Sequence, residues 1–294
     1  MRWKKISLLG VGLLGGSLGK AVKQRRLAGL VAGFVRRQAG ARECEALGAA
    51  DFATCDLPKA LAGADLVVLC TPVAQMLPVV KRMLPFLERG AVVTDVGSVK
   101  GSVVREVERL VGSAGAHFVG SHPMAGSEQT GVAAAQGDLF VNAVCVITPT
   151  RKTNRTALRK VERLWEQVGA KVLKLSPDRH DEFVSRSSHL PYVLAAHLAS
   201  FALNPAYPRE QAQLCAKGFR DTTRVASGSP EMWRDIVLAN RDHLLRGLAE
   251  LTGDLRTFKR MLSRGDSEPI LNFFIEAKRR RDLWLQNGAS ASTE

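Results

Sequence analysis

The stretch Lys4-Lys5-Ile6-Ser7-Leu8-Leu9-Gly10-Val11-Gly12-Leu13-Leu14-Gly15-Gly16-Ser17-Leu18 decides the fold. The apolar run 6–9 reads as a buried parallel strand. Gly10, Gly12 and Gly15 follow as G-x-G-x-x-G, and Leu13, Leu14, Leu18, Ala21 and Val22 then recur at helical spacing. Strand, glycine turn and helix in that order are the context a dinucleotide-binding turn needs. Gly10 permits the tight turn, Gly12 lets a pyrophosphate touch the backbone, and Gly15 lets helix and strand pack closely. The N–H groups that open the helix, at Leu13 and Leu14, lie at its positive dipole end and suit an anion. The alternative is a glycine-rich turn without a ligand; the flanking strand and helix favour the dinucleotide.

The next strand, 30–35, ends in Arg36-Arg37, about 20 residues past the glycines. An acid at that position would accept the ribose hydroxyls of NAD. A guanidinium cannot accept a hydroxyl proton, but it grips a 2′-phosphate through two parallel hydrogen bonds. The expected cofactor is therefore NADP, with NAD possible if the two arginines are solvated loop charges.

Further apolar runs read as strands at 65–70, 91–96, 118–120, 144–147 and 171–175, with helices between them. Thr71 and Pro72 close the strand 65–70 and border the expected cofactor site. Strands alternating with helices through residue 176 imply a doubly wound, mostly parallel sheet of the Rossmann type. From Asp178 onward only helical patterns recur, over 178–203, 209–218, 230–262 and 266–286. Ser229-Pro230 supplies a cap followed by proline at the first helical position. The expected domains are a dinucleotide-binding domain over 1–176 and an all-helical substrate and dimerisation domain over 177–286. Residues 287–294 are expected to form a disordered tail. The long apolar helices call for a partner, so a homodimer is expected.

With 294 residues, 46% of them hydrophobic, the chain is long enough for two cores. No apolar run approaches a membrane span, and the chain enters a strand at once, so no signal peptide is expected. Five dispersed cysteines without a C-x-x-C pair suit reduced thiols in a cytoplasm rather than a disulfide frame or a zinc site. The formal net charge is +14, from 42 Lys+Arg against 28 Asp+Glu. The charge is spread along the chain without interleaved aromatics, which argues against nucleic acid as partner. A basic surface that attracts an anionic cofactor and an anionic substrate accounts for the sign as well.

In a doubly wound sheet, ligands bind at the carboxyl ends of the strands. Two polar segments, 95–100 and 121–128, follow strand ends there. His122 is read as lying just past its strand, where a histidine can take a proton near neutral pH. Removing hydride from an alcohol carbon also requires the hydroxyl proton to leave, so a metal-free dehydrogenase needs such a base. No metal-ligand spacing is evident. Taken alone, a histidine is more readily a satisfied structural residue, and its place in a loop at a strand end makes the two readings even.

Several segments then combine: Thr94-Asp95-Val96-Gly97-Ser98-Val99-Lys100, Gly120-Ser121-His122-Pro123-Met124-Ala125-Gly126-Ser127-Glu128, Ser188-His189-Leu190-Pro191, and Gly218-Phe219-Arg220-Asp221-Thr222-Thr223-Arg224 with Trp233. With these, the chain resembles the prephenate/arogenate dehydrogenase family of tyrosine biosynthesis over about residues 5–262. The resemblance implies oxidative decarboxylation of a cyclohexadienol that carries a carboxylate and a hydroxyl at opposite ring carbons. It implies that His122 accepts the hydroxyl proton, that Ser98 fixes the hydroxyl, and that Arg224 holds a substrate carboxylate. Glu128 and Asp221 would join Arg224 in an ionic network, and Ser127, Ser188, His189 and Tyr192 would line the substrate site. Several relatives carry histidine where this chain has Tyr192, which leaves substrate choice and tyrosine feedback open. His180 and His197 are expected to be structural, and Asp181 a weak candidate for the cleft. Too little chain remains beyond Leu262 for an added regulatory or mutase domain, so any tyrosine inhibition is expected to be competitive. The rival readings are another β-hydroxyacid-type dehydrogenase and a non-catalytic NADP-binding sensor.

Overall fold

A computed structural model describes residues 2–126 and 129–290, with the backbone alone for 287–290. The chain divides into two compact units, residues 1–241 and 242–294.

The first unit is built on one sheet. Its opening elements are β1 (Trp3–Leu9), α1 (Leu13–Gln24), β2 (Ala28–Phe34), α2 (Gln38–Ala46), β3 (Phe52–Thr54), α3 (Leu57–Leu61), β4 (Leu66–Leu69) and α4 (Val73–Met83). There follow β5 (Val92–Asp95), α5 (Gly101–Ser113), β6 (His117–Pro123), β7 (Val144–Thr148), α6 (Arg155–Gln167) and β8 (Lys171–Lys174). The strand order is β3-β2-β1-β4-β5-β6-β7-β8. Pairing is parallel from β3 to β6; β7 is antiparallel to β6, and β8 is parallel to β7. The order reverses between β1 and β4, the crevice where such sheets bind ligands.

The central strands read as continuous apolar runs because helices cover both faces. One apolar cluster joins Ile6, Leu8, Leu18 and Val31 to Trp165 and Phe140. The other joins Leu9, Val67 and Leu69 to Met76, Val107 and Phe118.

Helices continue the unit: α7 (Pro177–Val184), α8 (Leu190–Ala202), α9 (Arg209–Gln213), α10 (Lys217–Thr223) and α11 (Pro230–Ala239). A π-helical turn, Ser185–His189, links α7 to α8. One extra residue in the turn widens the helix at this point, a feature frequent at functional sites. Pro191 follows, with no N–H to give to a regular ladder.

The second unit is a helical pair, α12 (Arg241–Arg264) and α13 (Ser267–Ser290). Gly265, with φ +69°, ends α12, and Asp266 donates its N–H back to the Met261 carbonyl. Phe258, Phe273 and Phe274 form a ring cluster, with centroids 5.1–5.9 Å apart.

Several expectations need correction, among them the helix expected over 209–218, which divides into α9 and α10. The three-residue strand β3 escaped notice because only Ala53 in it is buried, which leaves no pattern to read. The strand 118–120 extends to Pro123, so His122 is in the sheet, paired with Val146 of β7. The helix expected over 230–262 breaks at Asn240, whose buried amide is drawn into hydrogen bonds described below. The last helix runs to Ser290, so residues 287–290 are helical rather than a tail; an established helix extends at the cost of one residue per added bond. Residues 291–294 lie outside the described part.

Candidate active site

The glycine turn behaves as its spacing requires. Gly10 has φ +97°, which disfavours a side chain, and a Cβ there would stand 3.0 Å from the Cys70 carbonyl oxygen. A Cβ on Gly15 would stand 2.2 Å from the Gly10 carbonyl oxygen, so helix and turn touch only because Gly15 has none. A Cβ on Gly12 would meet nothing within 4 Å. Gly12 caps α1 without a side-chain hydrogen bond, so no side chain of the cap satisfies the first-turn N–H groups at Leu13, Leu14 and Gly15. Thr71 lies beside Gly10, and its Oγ1 is buried without a hydrogen-bond partner. Pro72 caps α4 without a side-chain bond. An open backbone cradle and an orphaned hydroxyl fit a bound dinucleotide. Arg36 and Arg37 are exposed directly after β2, with Arg37 at the start of α2.

Beyond β4, the tips of β5 and β6 are stitched together by buried polar groups. Ser121 donates its N–H to Asp95 Oδ1 at 3.0 Å and its hydroxyl to the Asp95 carbonyl at 2.5 Å. Lys100 Nζ binds Asp95 Oδ2 and the Ser121 carbonyl, the latter at 2.8 Å. Trp165 Nε1 donates to Ser121 Oγ at 3.0 Å. Lys100 and Asp95 are wholly buried. Such a pair is costly to break, because the remaining charge is left without a partner. Half-buried Ser98 sits in the loop that this clamp closes, and His122 follows Ser121 directly.

His122 Nδ1 lies 2.8 Å from His180 Nε2, and His180 Nδ1 lies 2.7 Å from Asp181 Oδ1. Asp181 accepts the N–H groups of Lys100 and Gly101, each at 2.7 Å, and so caps α5 from α7. Gly101 is needed there, since a Cβ would come within 2.9 Å of Asp181 Oδ2. Burial pushes the His122 imidazole well below its usual range, with His180, Lys100 and His189 adding repulsion. Burial also lowers His180, against the opposing pull of its Asp181 hydrogen bond.

On the π-helical turn, Ser188 is half-buried and His189 fully so. Burial lowers the His189 pKa to about 4. Asn240 donates one amide to the Asp181 carbonyl at 2.8 Å and faces His189 Nδ1 at 3.1 Å. Tyr192 stacks on Trp233, ring centroids 3.6 Å apart and planes at 11°, and burial raises its phenol. Asp221 and Arg224 are exposed, on α10 and just after it. Ser127 and Glu128 lie outside the described residues. A cleft of about 660 Å³ is lined by Arg105, Arg109, Arg151 and Lys152, and neither the glycine turn nor His122 borders it.

No local spacing announces the contacts of Asp95, Lys100, Ser121 and Trp165, while His180, expected to be structural, is buried and hydrogen-bonded on both ring nitrogens. The available signal was a charged pair, Asp95 and Lys100, flanking a glycine-serine turn between buried strands.

A glycine turn of the dinucleotide-binding kind, with a buried imidazole at the next strand tips, is the arrangement a pyridine-nucleotide-dependent oxidoreductase needs. Residues 18–174 match the prephenate dehydrogenase nucleotide-binding domain, and residues 176–276 match the prephenate dehydrogenase dimerization domain. The prephenate dehydrogenase of Bacillus subtilis is 35% identical over 94% of this chain and 75% of its own length. The cyclohexadienyl dehydrogenase of Zymomonas mobilis is 32% identical over 95% of each chain. The structure of prephenate dehydrogenase from Aquifex aeolicus in complex with hydroxyphenyl propionate and NAD+ superposes with a TM-score of 0.90 at 31% identity, covering 96% of this chain and 98% of that one. The chain belongs to the prephenate/arogenate dehydrogenase family.

Proposed function

We propose that this chain, as a cytoplasmic homodimer, oxidatively decarboxylates prephenate, arogenate or both, with NADP preferred over NAD. The observation that carries the reading is the clamp of Asp95, Lys100 and Ser121, which ties the Ser98 loop to the strand that bears His122. Gly10, Gly12, Leu13, Leu14 and Gly15 hold the pyrophosphate, with Thr71 and Pro72 at the border. Arg36 and Arg37 take the 2′-phosphate. When bound, the nicotinamide supplies the hydride acceptor.

The chain's own residues do the rest. Ser98 hydrogen-bonds the ring hydroxyl and orients it toward His122. His122 takes the hydroxyl proton as hydride leaves the same carbon. The ring ketone so formed is a vinylogous β-keto acid, so carbon dioxide departs and the ring aromatises without a metal. Arg224 holds a substrate carboxylate, with Glu128 and Asp221 around it. Ser127, Ser188, His189 and Tyr192 line the remainder.

A dimer through the helical segment 177–286 is supported by exposed apolar side chains, among them Leu255, Leu262, Leu271, Phe274 and Trp284, and by the match to a dimerization domain. Among the described residues, no helix is long and apolar enough to cross a membrane.

The deciding experiment is a four-way rate comparison, each substrate with each cofactor. Turnover of at least one substrate, with a higher kcat/KM for NADP than for NAD, is expected. No turnover in any combination contradicts the reaction, and a preference for NAD removes the phosphate role of Arg36 and Arg37.

A further inference from the structure

We infer that His180 and Asp181 are positioning residues that fix which ring nitrogen of His122 is bare. The inference rests on the reading of His122 as the base, and follows from counting protons along one chain of contacts. Asp181 accepts two backbone N–H groups, from Lys100 and Gly101, so its oxygens act as acceptors. His180 must therefore carry its proton on Nδ1, the nitrogen that faces Asp181 Oδ1 at 2.7 Å. A neutral His180 then has a bare Nε2. The contact from that atom to His122 Nδ1, at 2.8 Å, needs one proton, and only His122 can supply it. His122 thus carries its proton on Nδ1, and its Nε2 holds a free lone pair.

Burial of both rings keeps them uncharged, as the counting requires. The groups around His122 are His180 on α7, His189 on the π-helical turn and Lys100 before α5, with Asp95 and Asp181 as the carboxylates behind them. When the substrate O–H bond breaks, its proton goes to His122 Nε2, and the hydride goes to the nicotinamide. The positive charge gained by His122 then faces, through His180, the Asp181 carboxylate. Asp181 is itself held by the start of α5, which follows the Ser98 loop, and its carbonyl is held by Asn240. The tautomer of the base and the position of the hydroxyl anchor are therefore set by one set of bonds.

The test is nitrogen NMR of histidine side chains in the full chain, paired with kinetics. The wild-type protein at neutral pH should show His122 and His180 each protonated at Nδ1 and bare at Nε2. In Asp181→Asn, the amide can donate to His180 Nδ1, which reverses every proton in the chain and leaves His122 protonated at Nε2. Its kcat should fall by about 10²- to 10⁴-fold, the scale of a tautomer error in a catalytic triad, with KM and cofactor affinity nearly unchanged. If that variant does not fold, the wild-type spectrum and a second pair decide. His180→Gln keeps an acceptor for His122 Nδ1 and should hold turnover within about tenfold, whereas His180→Leu should lose more than about a hundredfold. A wild-type His122 bare at Nδ1, an Asp181→Asn with undiminished kcat, or equal losses in the Gln and Leu variants overturns the inference. The spectrum reads the tautomer whether or not a cyclohexadienol is turned over, so failure of the reaction and failure of the relay are distinguishable.

Discussion

Two helices of the same sheet, α1 and α5, begin beside the site and treat their first turns in opposite ways. α1 starts at Gly12 with no side-chain cap, and a Cβ on Gly12 would meet nothing within 4 Å, so on the reading proposed above its N–H groups serve a ligand's phosphate. α5 starts at Lys100, also without a cap of its own, yet Asp181 reaches over from α7 to take two of its N–H groups. On that proposal the same positive helix end serves recognition in one case, while in the other it is anchored internally. The first is made of backbone, and its signature is glycine spacing. The second depends on one carboxylate 81 and 80 positions away from the N–H groups it accepts, so no local spacing announces it.

Substitutions at the glycines separate the two uses most sharply. Gly15→Ala drives a methyl into the Gly10 carbonyl and should destabilise the fold by on the order of 4 kcal/mol, read as a fall in Tm. Gly12→Ala should melt like the wild type and lose cofactor affinity. Equal melting temperatures for the two variants break the distinction.

On the anchored side, stability should depend on pH. The imidazoles of His122, His180 and His189 are held below the value of an unfolded chain, about 6.5, so the unfolded state takes up protons first as pH falls. Stability is full above pH 6.5 and declines toward pH 4, with His189 alone contributing roughly 3 kcal/mol over that interval. Thermal melts across that range check it, and a His189→Gln variant with an undiminished slope contradicts it.

Smaller effects are expected at the exposed arginines. Arg36→Ala with Arg37→Ala should weaken NADP by about 10- to 100-fold and NAD hardly at all, as titration of each cofactor will reveal. Equal losses sink the phosphate reading. Arg224→Ala should raise substrate KM by roughly tenfold with little change in kcat; a lower Tm with unchanged KM would leave Arg224 a structural role.

The sheet and the glycine turn were legible because each rests on local pattern: apolar runs for β1, β4 and β5, and three glycines at fixed offsets. His122 was legible as a residue but not as part of the sheet. The polar string Ser121-His122-Pro123 resembles a loop, and only its pairing with β7 makes it a strand. The contacts of His180 and Asp181 were hidden for a related reason. A histidine and an aspartate on a helix look structural until the fold brings them against residues 58 and 81 positions away. The break at Asn240 was hidden in an unbroken helical periodicity, because its cause is a contact with α7 and the π-helical turn.

The most direct test of the central claim is single-turnover formation of reduced nicotinamide by wild type and His122→Asn, at saturating cyclohexadienol and cofactor. If an uncharged imidazole at the β6 tip removes the hydroxyl proton, His122→Asn will bind both ligands and slow hydride transfer by at least about 10³-fold. Hydride transfer at near the wild-type rate would mean that the proton leaves by another route, and that His122 is not the base.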